Sequence, residues 1–103
     1  MTPINEKQRE VLLECSRHIQ FQVSSFIIHQ RQLNLSDNVV CQILGSSNTA
    51  TNCLLLIKEI RTQEQFVGIY KVAIKLKNYI VASLLHPHVP SEHHDDEMLK
   101  MMD

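Results

Sequence analysis

The chain has 103 residues, which allows one domain with a single core. Its 44% apolar share excludes disorder from end to end, and two Gly with three Pro leave little material for the tight turns of a β-sandwich or barrel. Ten basic residues against eleven acidic ones give a net charge of −1, so the chain as a whole has no pull toward nucleic acid or anionic membrane.

Thr2-Pro3 reads as a helix entrance, with Thr as N-cap and Pro at the first helical position. Ile4, Val11, Leu12, Cys15 and Ile19 then recur at three- and four-residue steps. Glu6, Lys7, Arg9, Glu10, Glu14 and Arg17 stand between them, facing water. This one-sided stripe predicts a first helix over about residues 3–20. Val23, Phe26 and Ile27 carry the spacing past a polar break at Ser24-Ser25. Those serines either cap a short second helix or sit within a longer, bent first one.

Leu33-Asn34-Leu35-Ser36-Asp37 reads as a loop anchored by two leucines and ending in an N-cap serine. Val39, Val40, Ile43 and Leu44 form the buried side of a third helix, stopped by Gly45 and Ser46-Ser47-Asn48. Thr49 is placed to cap a fourth, where Leu54, Leu55, Leu56, Ile57 and Ile60 are apolar nearly all round. That pattern belongs to a helix at the centre of a bundle.

Thr62-x-x-Gln65 matches a capping box and opens a fifth helix carrying Phe66, Ile69, Tyr70, Val72, Ala73 and Ile74. Val67, Ile69, Val72 and Ile74 would also suit a strand, but helix caps frame the segment and no hairpin turn accompanies it. Tyr79 to Leu85 forms a sixth helix, ended by Pro87. From there Pro90, Ser91 and Glu92-His93-His94-Asp95-Asp96-Glu97 show no core pattern. The expected organisation is a helical bundle over 1–88 and a polar linker or disordered tail over 89–103.

Three cysteines cannot all pair within one chain, and Cys15, Cys41 and Cys53 lie in apolar-patterned segments. Buried free thiols in a reducing, cytoplasmic compartment are the expectation. Met1-Thr2-Pro3-Ile4-Asn5-Glu6 lacks the basic-then-apolar layout of a secretory signal, and no apolar run approaches the roughly 18–20 residues that span a bilayer.

Little in the sequence points to reaction chemistry. His86, His88, His93 and His94 stand near Asp95 and Asp96, but a polar tail does not hold metal ligands at fixed geometry. Cys15 and His18 share a helix face, yet Cys15 lies on the apolar stripe, where desolvation disfavours the thiolate. No glycine-rich phosphate loop, no G-x-S-x-G and no H-E-x-x-H is present. The expectation is therefore no catalysis, no cofactor and no metal. Basic residues gather at Lys58 and Arg61 and again at Lys71, Lys75 and Lys77, but five aromatics are too few for a nucleic-acid stacking surface.

Three segments carry a family resemblance: Leu56-Ile57-Lys58, Ile69-Tyr70-Lys71-Val72-Ala73-Ile74 and Val81-Ala82-Ser83-Leu84-Leu85-His86. Together with Leu12-Leu13 and Arg17 they resemble a caspase recruitment domain (CARD) of the death-fold family, most like those of apoptosome-type scaffolds. The resemblance covers roughly residues 8–90, clearly in 54–86 and loosely in 18–48.

It implies an all-α, six-helix antiparallel Greek-key bundle. It also implies homotypic binding, in which a basic face on the first and fourth helices meets an acidic face on the second and third of a partner. Arg17, Lys58 and Arg61 match the basic side. The acidic side departs from the family, since Gln30, Arg31, Gln32, Ser36, Asp37 and Asn38 leave Asp37 as its only clear acid. The expected partner-binding residues are thus Arg17, Lys58 and Arg61, with Asp37 and Asn38 on the weaker face.

The implied function is recruitment of an initiator caspase to an activating platform, in apoptosis, through the CARD of that caspase or of a scaffold protein. Homo-oligomers within a larger assembly belong to the same picture, without nucleic acid or membrane. Two alternatives remain at this stage: the prodomain of an initiator caspase, and a small helical nucleic-acid-binding module.

Overall fold

Asn5, not Thr2, opens the first helix. In the computed structural model, which describes residues 2–94, helix α1 runs Glu6–Ile19. The Asn5 side chain accepts from the Gln8 backbone N–H at 2.8 Å, and Gln8 Oε1 accepts from the Asn5 backbone N–H at 2.9 Å. This reciprocal box satisfies two amides that a bare helix start would leave unpaired. Thr2-Pro3 instead runs extended beside the entry to a later helix: Ile4 N–H donates to Arg61 O and Gln63 N–H to Thr2 O.

The serine question resolves as a separate short helix. Helix α2 spans Val23–Ile27, with Gln22 at its N-cap and both serines inside it. Helix α3, Asp37–Leu44, starts where expected, with Ser36 Oγ accepting from the Val39 N–H. Only Ile43 of α3 is fully buried; Val39 and Val40 are half-buried and Leu44 is exposed, against the expectation of a four-residue buried side. Helix α4 is Thr49–Glu59, capped by Asn48 rather than Thr49.

The expected centre of the bundle is misplaced by one helix. Leu54 on α4 is 51% exposed and Leu55 half-buried, so α4 buries a stripe of Cys53, Leu56 and Ile57. The centre belongs to α5, Gln63–Lys75, where Phe66, Ile69, Tyr70, Val72 and Ala73 have no exposed surface. Its Thr62–Gln65 capping box forms as read from the sequence. Gly68 lets the backbone of residue 32 approach, since a Cβ there would stand 2.6 Å from Gln32 O.

The chain leaves α5 through Leu76 and Lys77, whose φ of 59° is left-handed. The Lys77 N–H donates to Ile74 O and the Asn78 N–H to Ala73 O, the paired bonds of a Schellman stop. Helix α6 follows as Tyr79–Leu85.

The described residues hold six α-helices, two 3₁₀ turns at His86–His88 and Ser91–His93, and no strand beyond the isolated Pro3–Thr62 bridge. Helix α1 packs on α4 and α6, α6 on α5, α3 on α4, and α2 on α4 and α5. Among the described residues no helix is long and apolar enough to cross a membrane.

Packing continues beyond the expected boundary at residue 88. Val89 is buried, the Gln8 amide donates to His88 O at 3.0 Å, and His94 Nε2 lies 2.7 Å from Val89 O. The His86 ring stands against Tyr70 and, at a centroid distance of 3.8 Å, against His94. One apolar side chain, Val89, and a run of aromatic contacts hold what composition alone marks as linker. The expected tail beyond His94, including Asp95 and Asp96, lies outside the described residues.

Candidate interaction surface

Arg9 fixes how α1 meets α4. Its Nη1 donates to Ile57 O at 2.7 Å and its Nη2 to Ile60 O at 2.6 Å, so the guanidinium closes carbonyls at the end of α4. A cation at a helix C-terminus also meets the negative end of the helix dipole. Sequence spacing had placed Arg9 in water with the other charges of α1; it is half-buried and engaged instead.

One turn beyond Arg9, Leu13 stands 49% exposed. It lines a shallow groove of about 340 Å³ with Arg9, Leu54, Ile57 and Lys58. It also lines a second groove, of about 300 Å³, with Glu14, Ser16, Arg17, His18 and Leu84 of α6. Arg17 and Lys58, far apart in the chain, thereby flank the same exposed leucine. Both are exposed, and neither forms an ion pair among the described residues.

Arg61 does not join them so simply. It follows the end of α4, and its guanidinium lies 3.3 Å from Glu59 Oε1, which offsets its charge locally. Asp37 and Asn38 begin α3 and belong to another surface. The Asp37 carboxylate accepts from the Gln30 amide at 2.8 Å and lines a groove of about 450 Å³ with residues 28–32. The structure thus sets Arg17 and Lys58 on two grooves that share Leu13, places Arg61 beside an acid and leaves Asp37 and Asn38 apart.

Leu13 and Leu54 are the surface residues that sequence spacing missed. Leu54 is absorbed into an apolar run, and Leu13 sits beside the buried Leu12. The available sign is phase: position 13 lies about 100° round the helix from Leu12, off the stripe of Val11, Leu12, Cys15 and Ile19.

The cysteines divide. Cys15 and Cys53 are buried, and Cys41 is exposed, contrary to the expectation of three buried thiols. Position 41 is on the outer side of α3, opposite the single buried Ile43 stripe. Burial, with Glu14 and Cys53 nearby, pushes the Cys15 thiol up to about 12. Burial pushes Cys53 up to about 11, and its Sγ donates to Ser16 O at 3.3 Å. Both stay protonated at neutral pH, so Cys15 offers His18 no thiolate. Among the described residues no group of three or more His, Cys, Asp or Glu could hold a metal ion.

Comparison with family models, curated proteins and solved structures gave no match to this chain.

Proposed function

We propose that the chain is a CARD-like interaction domain that recruits an initiator caspase through the α1–α4 surface. The observation that carries this reading is the placement of Arg17 and Lys58 on either side of the exposed Leu13. An apolar contact rimmed by unpaired cations suits a partner surface that supplies carboxylates around a small hydrophobic centre.

The neighbour pattern gives independent support. The packing of α1 on α4 and α6, and of α2 on α4 and α5, supports reading the six helices as an antiparallel Greek-key bundle of death-fold type. The resemblance in Ile69–Ile74 and Val81–His86 falls on α5, α6 and the turn after it, where the core is densest. Asp37 on the separate α2–α3 surface matches the weaker, second face of the same scheme.

The domain itself catalyses nothing in this account. Tethering several caspase chains to one platform raises their local concentration to about the millimolar range, where weak dimerisation becomes favourable. Binding to the CARD prodomain of an initiator caspase should weaken as salt rises, because rim charges guide it. Charge reversal of Arg17 and Lys58, measured by titration calorimetry, should abolish that binding while leaving helix content unchanged. Undiminished affinity of Arg17→Glu/Lys58→Glu would overturn the assignment of the surface.

A further inference from the structure

The net charge of −1 conceals a segregation. Residues 15–36 and 65–91 contain Arg17, Arg31, Lys71, Lys75 and Lys77 and neither Asp nor Glu. The fold joins these two stretches. Helix α2 packs against α5, and the Lys75 ammonium donates to Gln32 Oε1 at 2.8 Å. The Asn78 amide donates to His18 O at 2.9 Å and to Gln22 Oε1 at 2.6 Å, tying the start of α6 to the α1–α2 corner. Of the acids that border the first stretch, Asp37 accepts from Gln30, and Glu14 lies one turn before Arg17 and His18.

The same region exposes the barest large apolar side chains in the described residues. Phe21 is 82% exposed and Ile28 79%. Phe21 precedes Gln22, the N-cap of α2, and Ile28 is its C-cap, so the two flank a short helix whose Val23, Phe26 and Ile27 are buried. Ile80, two residues beyond Asn78, adds a third at 56%.

We propose that this cationic side of the bundle docks on the surface of an anionic lipid bilayer. Phe21 and Ile28 enter the interfacial layer, while Arg31, Lys71 and Lys75 meet the headgroups. The fixed charges of the two joined stretches all have one sign, complementary to a phosphatidylserine-bearing leaflet. Three protruding side chains also offer much less area than the roughly 800 Å² per partner of a stable protein interface. A fluid surface moulds around isolated tips; a protein would need pockets matched to each. This surface uses neither Leu13 nor Lys58, so it stands apart from the α1–α4 recruitment surface.

The test is flotation of the full chain with vesicles of phosphatidylcholine alone and of phosphatidylcholine containing phosphatidylserine. Association with the phosphatidylserine vesicles only, released by high salt, is the expected result. Phe21→Ser with Ile28→Ser should weaken that association about tenfold or more, and Lys71→Gln with Lys75→Gln about tenfold. Both double variants should keep the helical circular dichroism spectrum, and Lys71→Gln with Lys75→Gln should also keep the affinity for a caspase prodomain, which separates this surface from the recruitment one. Equal association with both vesicle types, or none by the folded wild-type chain, would overturn the proposal. So would lipid-free self-association that disappears in Phe21→Ser, since it would assign the patch to a second copy.

Discussion

Arg9 on α1 donates through Nη1 to the carbonyl oxygen of Ile57 on α4 at 2.7 Å, joining two helices that are 48 positions apart at this contact. With the second bond to Ile60 O, the side chain replaces water at the open end of α4. Arg9 also lines the groove beside Leu13, so the contact that ties α1 to α4 is part of the proposed surface.

Arg9→Met should therefore destabilise the fold by about 2–3 kcal/mol, since two charged hydrogen bonds are lost and Ile60 O is left open, while Ile57 O keeps the Ile60 N–H. For a domain of this size that is a fall in Tm of roughly 10–20 °C. Arg9→Lys should recover part of it, because one ammonium does not span both oxygens as the planar fork does. Thermal unfolding followed by circular dichroism measures both.

Gly68→Ala sets two effects against each other. Helix propensity favours alanine by about 0.5–1 kcal/mol in a helix interior. The new Cβ, however, would lie 2.6 Å from Gln32 O, a backbone atom that cannot rotate aside. Overpacking of this kind costs about 1–3 kcal/mol, so the clash wins and chemical denaturation should show a net loss.

Lys77→Gly should do the opposite. Lys77 holds φ at 59° at the Schellman stop of α5, where glycine has no Cβ penalty. A gain of about 1 kcal/mol is expected, read as a rise in Tm of roughly 4–8 °C.

The helix stops and starts show what a sequence of this kind reveals. Ser36 and the Thr62–Gln65 box were legible because each is settled within four residues. Asn5 and Asn48 were not, because each competes with a neighbouring threonine that is equally able to cap. Long-range bonds decide the first case: Ile4 to Arg61 and Gln63 to Thr2 hold Thr2-Pro3 in an extended path. Leu54 looked central because an unbroken apolar run hides which side faces out. Of the site, Arg17 and Lys58 were visible as cations, but their common neighbour Leu13 emerges only once α1 lies on α4.

Alkaline pH should weaken the fold through Cys15 and Cys53. Their thiols are raised to about 12 and about 11 in the folded chain, against an ordinary value near 9. Between those values the unfolded chain loses protons that the folded chain keeps, so stability falls as pH rises above about 9. The slope should approach about 1.4 kcal/mol per pH unit for each thiol. Urea titrations between neutral and alkaline pH, with Cys15→Ala/Cys53→Ala as the flattened control, check the sign and the source.

Thiol labelling gives the matching kinetic result. Cys41 is exposed, whereas Cys15 and Cys53 are buried and protonated. A disulfide reagent at neutral pH should consume Cys41 quickly and the other two only on unfolding. Fast reaction of all three cysteines would contradict the packing of α1 on α4.

The proposed function rests on docking of the α1–α4 surface onto a partner domain. Size-exclusion chromatography with light scattering, on the chain mixed with the CARD prodomain of an initiator caspase, tests it most directly. A joint peak heavier than either component is expected, lost in Arg17→Glu/Lys58→Glu and regained when the partner's acidic contacts are reversed to basic ones. Separate elution of two folded components at low salt would contradict it.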